Sequence, residues 1–112
     1  MTAFAMGPAL LFCPADRPER FAKAAERADG VILDLEDAVS ADAKAFARGA
    51  VMESDLDPER TVVRVNALDG AHIESDLATM SLTDYRTVMV AKAESAKQIA
   101  RLDPRFAVIA LC

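Results

Sequence analysis

Polar and charged residues gather just past the ends of four short apolar runs, and one cation sits inside such a run. Arg64 interrupts Thr61-Val-Val-Arg-Val65. Burying a guanidinium costs several kcal/mol unless it is paired, so this sequence calls for a carboxylate close by. Glu36 and Asp37, directly after the apolar Val31–Leu35, are the natural partners. A paired arginine facing a pocket grips a carboxylate bidentately. The same pairing can also be a purely structural ion pair. The Glu36–Asp37 doublet can orient a base, hold a metal-bound water or brace the arginine, or it can be a solvated rim. Lys92 and Glu94 flank Ala93 after the run Thr87–Ala91. They can line a polar pocket or form a rim salt bridge, and nothing in the spacing supports a Schiff-base lysine.

Other chemistries find little support. His72 is the single histidine and falls at a helix start, where a surface or capping role suits it. Cys13 and Cys112 lack metal-ligand or redox-pair spacing and read as reduced thiols of a cytoplasmic protein. The four glycines are scattered, so there is no phosphate-cradling loop. A net charge of −5 and a pI near 4.8 argue against a nucleic-acid or anionic-membrane surface. No apolar run approaches a membrane span, and Met1–Gly7 carries no basic residue of a secretory leader.

The elements that position these residues alternate. Ala9–Pro14, Val31–Leu35, Thr61–Val65, Thr87–Ala91 and Phe106–Leu111 read as buried strands. Between them, helices are predicted with Asp16 and Glu19 as a capping box and Phe21, Ala24, Ala25 and Ala28 as a buried face. The next is capped by Ser40, with Ala43, Phe46, Ala47, Ala50 and Val51 inward. A third carries Ile73, Leu77 and Met80, and a fourth, opened by Ser95 and Gln98, carries Ile99 and Leu102. Asp55–Arg60 reads as a charged loop. Strands apolar on both faces and alternating with helices imply an α/β protein with a parallel sheet. Ligands then bind at the carboxyl ends of the strands, where the charged residues lie. The whole of 1–112 reads as a single, partial β/α domain. It ends in an apolar strand without a covering helix, as a truncated chain would. A five-stranded flavodoxin-like domain is the alternative.

Several stretches resemble the HpcH/HpaI aldolase and citrate lyase β (CitE-like) family. These are Leu11-Phe-Cys-Pro-Ala-Asp-Arg-Pro-Glu-Arg-Phe-Ala-Lys-Ala24, Val31-Ile-Leu-Asp-Leu-Glu-Asp-Ala-Val39 with Lys44 and Ala47-Arg48, Val63-Arg-Val-Asn-Ala67, and Val88-Met-Val-Ala-Lys-Ala-Glu-Ser95. The resemblance implies the amino-terminal part of a TIM-type (β/α)8 barrel, with about five parallel strands and four helices. It also implies a Mg²⁺-dependent carbon–carbon lyase or aldolase acting on acyl-CoA or oxo-acid substrates, in which the metal acts as a Lewis acid. By resemblance Arg64 binds the oxo acid, Glu36 and Asp37 are the catalytic acidic pair, and Lys92 and Glu94 line the substrate site. Arg20 and Lys23 approach the CoA phosphates. The metal carboxylates are expected beyond Cys112, so this chain contains none and is expected to be inactive alone. Homo-oligomers, trimers in the family, are implied as well. Two positions depart from the family pattern: Gly7-Pro8-Ala9 stands where an arginine is frequent, and Ala91 where a proline precedes the strand-four lysine. The alternative function is a non-catalytic acyl-CoA-binding or interaction module.

Overall fold

The computed structural model describes residues 9–91 and 104–111. Five strands, β1 (Leu10–Pro14), β2 (Gly30–Asp34), β3 (Thr61–Val65), β4 (Thr87–Ala91) and β5 (Ala107–Leu111), form one parallel sheet in the order β1-β2-β3-β4-β5. Helices α1 (Phe21–Arg27), α2 (Lys44–Glu53) and α3 (Ile73–Ser81) make the first three crossovers. The expected fourth helix lies outside the described residues. A strand order that follows the chain is that of a β/α barrel. The flavodoxin-like alternative would place β1 between β2 and β3, and the pairing excludes it.

Side chains alternate along each strand between two cores. Cys13, Val31, Leu33, Leu35, Val63, Val65, Val88 and Val90 meet Phe21, Ala24, Ala47, Val51 and Met80 on the helix side. Ile32, Val62 and Met89, with Leu10 and Ile109, fill the other face. Both faces of β2 and β3 are buried, apart from the partly buried Arg64, so these strands read as apolar runs rather than alternating ones. Each fully buried Leu or Val contributes about 1.5–3 kcal/mol relative to exposure.

The helix starts differ from expectation. Asp16 caps nothing. Its segment turns through Arg17 N–H donating to the Pro14 carbonyl, and a 3-10 turn (Pro18–Arg20) leads into α1. Ser40 stands at the start of another 3-10 turn (Ala41–Ala43), but its side chain makes no capping bond. Asp57, within the expected loop, does cap: its carboxylate accepts from the Glu59 N–H at 2.9 Å and opens a 3-10 turn over Pro58–Arg60. Most of the expected inward residues are buried, namely Phe21 and Ala24 on α1 and Ala47, Ala50 and Val51 on α2. Phe46 is 61% exposed, however, and Lys44 is buried. Ala25 is exposed, and the chain is extended at Ala28.

Candidate functional site

The β2–β3 register pairs Asp34 with Arg64, so both project from the same face at the carboxyl end of the sheet. Arg64 Nη1 lies 3.6 Å from Asp34 Oδ2, and Nη2 lies 2.6 Å from Glu36 Oε1 and 3.4 Å from Asp37 Oδ2. Three carboxylates thus surround one guanidinium. The Arg64, Asp34 and Glu36 side chains are mostly buried, while Asp37 is 78% exposed at the rim. Asp34 does double duty, since its other oxygen accepts the Glu36 N–H at 2.8 Å. The Glu36 contact is close but poorly aligned for a hydrogen bond. Glu36 Oε1 is therefore buried without a hydrogen-bond partner. Arg64 Nε is buried without one as well. The Phe12 ring, 5.8 Å from the guanidinium carbon, covers one side.

The expected meeting of Arg64 with Glu36 and Asp37 occurs. Asp34, seen in the sequence only as part of a strand end, is the member that sequence reasoning missed. Its signal was an acid inside an apolar strand, at the same two-residue alternation as Glu36.

A second polar cluster holds the backbone behind this site. Past the end of β2 the carbonyls lose their ladder partners and need others. The buried Lys44 ammonium donates to the Leu35 carbonyl at 2.8 Å and the Glu36 carbonyl at 2.9 Å. Asn66 Nδ2 donates to the same Leu35 carbonyl at 3.0 Å, and to Asp76 Oδ2 at 2.6 Å. Asp76, fully buried on α3, also accepts the Asn66 N–H at 2.8 Å and pairs with Arg48 Nη1 at 3.1 Å. No spacing rule pointed to Asp76.

Arg20 and Lys23 do not join Arg64. They are exposed on the rim of a separate groove of about 330 Å³ with Arg27, over Leu11, Phe12, Cys13 and Pro14. Phe12 borders both places. Lys92 and Glu94 lie outside the described residues. His72 precedes α3, and its side chain forms no cap. Cys13 is buried with a free thiol. Burial raises its pKa above the ordinary thiol value, against the lowering pull of Arg20. Burial likewise raises the Tyr85 phenol, whose oxygen bonds Ser54 Oγ at 2.6 Å and accepts the Leu56 N–H at 3.2 Å. Among the described residues no group of three or more His, Cys, Asp or Glu is arranged to hold a metal ion, and no helix is long and apolar enough to cross a membrane. The three carboxylates turn toward Arg64 instead.

The HpcH/HpaI aldolase/citrate lyase family model matches residues 9–109. A citrate lyase subunit beta-like protein of Mycobacterium tuberculosis (strain H37Rv) is 59% identical over 105 residues, covering 94% of this chain and 38% of the relative. The solved citrate lyase beta subunit of M. tuberculosis complexed with oxaloacetate and magnesium superposes with a TM-score of 0.93 at 57% identity, covering 98% of this chain and 49% of that one. The CitE protein of the same organism in complex with magnesium, acetoacetate and coenzyme A gives a TM-score of 0.89 at 59% identity, covering 93% and 39%. The chain therefore spans less than half the length of these relatives, matching their amino-terminal part.

Proposed function

The chain belongs to the HpcH/HpaI aldolase/citrate lyase family, and from that premise we propose that, at its relatives' full length, it is a Mg²⁺-dependent carbon–carbon lyase or aldolase. Its substrates would be acyl-CoA or oxo acids of the citryl-CoA, malyl-CoA or oxaloacetate type. One observation carries this reading: a guanidinium held among carboxylates at the carboxyl ends of parallel strands, with its Nε still lacking a hydrogen bond. In this proposal Arg64 grips the substrate carboxylate or carbonyl. Asp34 and Glu36 hold the guanidinium in place, and Asp37, at the rim, orients water. The likeness to proteins solved with oxaloacetate or acetoacetate supports it.

Mg²⁺ would supply Lewis-acid polarisation of the substrate carbonyl. The described residues offer no ligand set for it. Lys92 and Glu94 complete the substrate pocket in this proposal, and assembly as a homotrimer is checked by light scattering. Arg64→Ala in the full-length protein tests the reading. Titration calorimetry with oxaloacetate and Mg²⁺ should show affinity falling at least about tenfold, as for loss of a buried charged hydrogen-bond partner. Unchanged affinity in a folded variant would remove Arg64 from the site.

A non-catalytic acyl-CoA-binding module is the second reading. The groove rimmed by Arg20, Lys23 and Arg27 favours it, because three cations border one opening where a polyphosphate could lie. Coenzyme A bound by residues 1–112 without Mg²⁺, and weakened by Arg20→Ala with Lys23→Ala, would select it.

A further inference from the structure

The Leu35 peptide is fixed from every side. Its N–H donates to the Arg64 carbonyl at 2.9 Å, carrying the β2–β3 ladder one residue past the strand. Its carbonyl accepts from two donors on different elements, Lys44 Nζ on α2 and Asn66 Nδ2 after β3. Glu36 follows directly, with its own carbonyl on Lys44 and its N–H on Asp34. Lys44 is 8% exposed and forms no ion pair among the described residues. An ammonium buried without a carboxylate is costly. Here it is placed so that two backbone dipoles one residue apart converge on it. Asn66 is held in turn by Asp76, which takes both its N–H and its side-chain amide and is anchored by Arg48.

We propose that Lys44 and Asn66 are positioning residues that hold the Leu35 carbonyl from two different elements and thereby set the Glu36 carboxylate against Arg64. The inference rests on the oxo-acid reading of Arg64. Glu36 Oε1 approaches Arg64 Nη2 at 2.6 Å without hydrogen-bond alignment. Fixing the backbone that carries Glu36 narrows the approaches its side chain can make to Arg64. The clamp supplies that fixation, and it reaches the guanidinium through the backbone without touching a ligand.

The test uses the full-length protein with oxaloacetate and Mg²⁺ as the probe. Lys44→Met is expected to weaken oxaloacetate binding about tenfold, the weight of one charge-assisted hydrogen bond. In a Glu36→Gln background the same substitution is expected to cost less than about twofold, because the carboxylate it positions is already gone. Asn66→Ala should repeat the pattern from the other element and carries the test if Lys44→Met does not fold. The Arg64 Nε–H resonance should move in Lys44→Met and in Glu36→Gln, with no further movement in the double variant. Equal losses in both backgrounds, or no loss, overturn the clamp. Arg64→Ala, measured in parallel, separates the two failures. If it leaves oxaloacetate binding intact, the reading of the site falls and the clamp's role with it. If it abolishes binding while the Lys44–Glu36 cycle is additive, only the clamp falls.

Discussion

Arg64 shows what a buried cation demands. Its place among valines already called for an acid, and Glu36 and Asp37 supply it. Asp34 became visible as a partner only through register, because one strand's sequence does not say which residue of its neighbour lies alongside. Asp76 makes a sharper case of the same dependence. It is fully buried, accepts three hydrogen bonds and balances Arg48. Asp76→Ala should therefore cost about 3–5 kcal/mol, as removal of one member of a buried pair does. Urea unfolding of the full-length protein measures it, and a loss below about 1 kcal/mol, no more than an exposed pair is worth, would show that the network carries no weight. Two further groups set an alkaline limit. Cys13 and Tyr85 keep their protons in the folded protein at pH values where the unfolded chain releases them. Their contribution is complete below the ordinary thiol and phenol ranges and is lost as pH rises through the raised values. Stability should thus fall from about pH 9 upward. Tyr85→Phe should flatten the upper part of that fall and Cys13→Ala the lower. An alkaline limb identical in both variants would assign it elsewhere.

At the scale of elements, all five strands and three of the helices were legible, because β-branched runs and helical spacing are local properties. The helix starts were not. Asp16 and Ser40 satisfy the capping pattern in letters, yet 3-10 turns intervene and neither side chain caps. Ala47, Ala50 and Val51 are buried on α2 as expected, but Phe46 is exposed and Lys44 is buried beside them. Sequence periodicity ranks Phe as core and Lys as solvent. It cannot register two unpaired carbonyls at a neighbouring strand end, and those give Lys44 its place. Helix α2 also contains Gly49, where an added Cβ would meet nothing within 4 Å. Gly49→Ala should therefore stabilise by about 0.5–1 kcal/mol through reduced freedom of the unfolded chain. Thermal unfolding of the full-length protein reads this directly. A fall in stability would show that something outside the described residues packs against this stretch of α2.

Across the described residues, the parallel strands in sequential order bring the charged ends of β2 and β3 to one rim, and this is how Asp34, Glu36, Asp37 and Arg64 come to share a site. The same order also leaves β1 and β5 with one neighbour each among the described residues. Leu11 and Phe12 on β1 are 41% and 50% exposed, and β5, Ala107–Leu111, carries no charge. Unpaired N–H and C=O groups on apolar strands are templates for another chain, and natural edges are blunted by lysine, proline or a covering element. Pro14 is the only such residue in either strand. A protein consisting of residues 1–112 alone should then associate through these edges across the micromolar range, where exposed strand edges drive aggregation. Sedimentation velocity would show an average mass rising with concentration above 12.0 kDa. Leu11→Lys, which puts a charge on the β1 edge, should lower it. A single species of monomer mass across the range, unchanged by Leu11→Lys, would mean that the residues outside those described cover both edges, and that the sheet is closed off within these 112 residues.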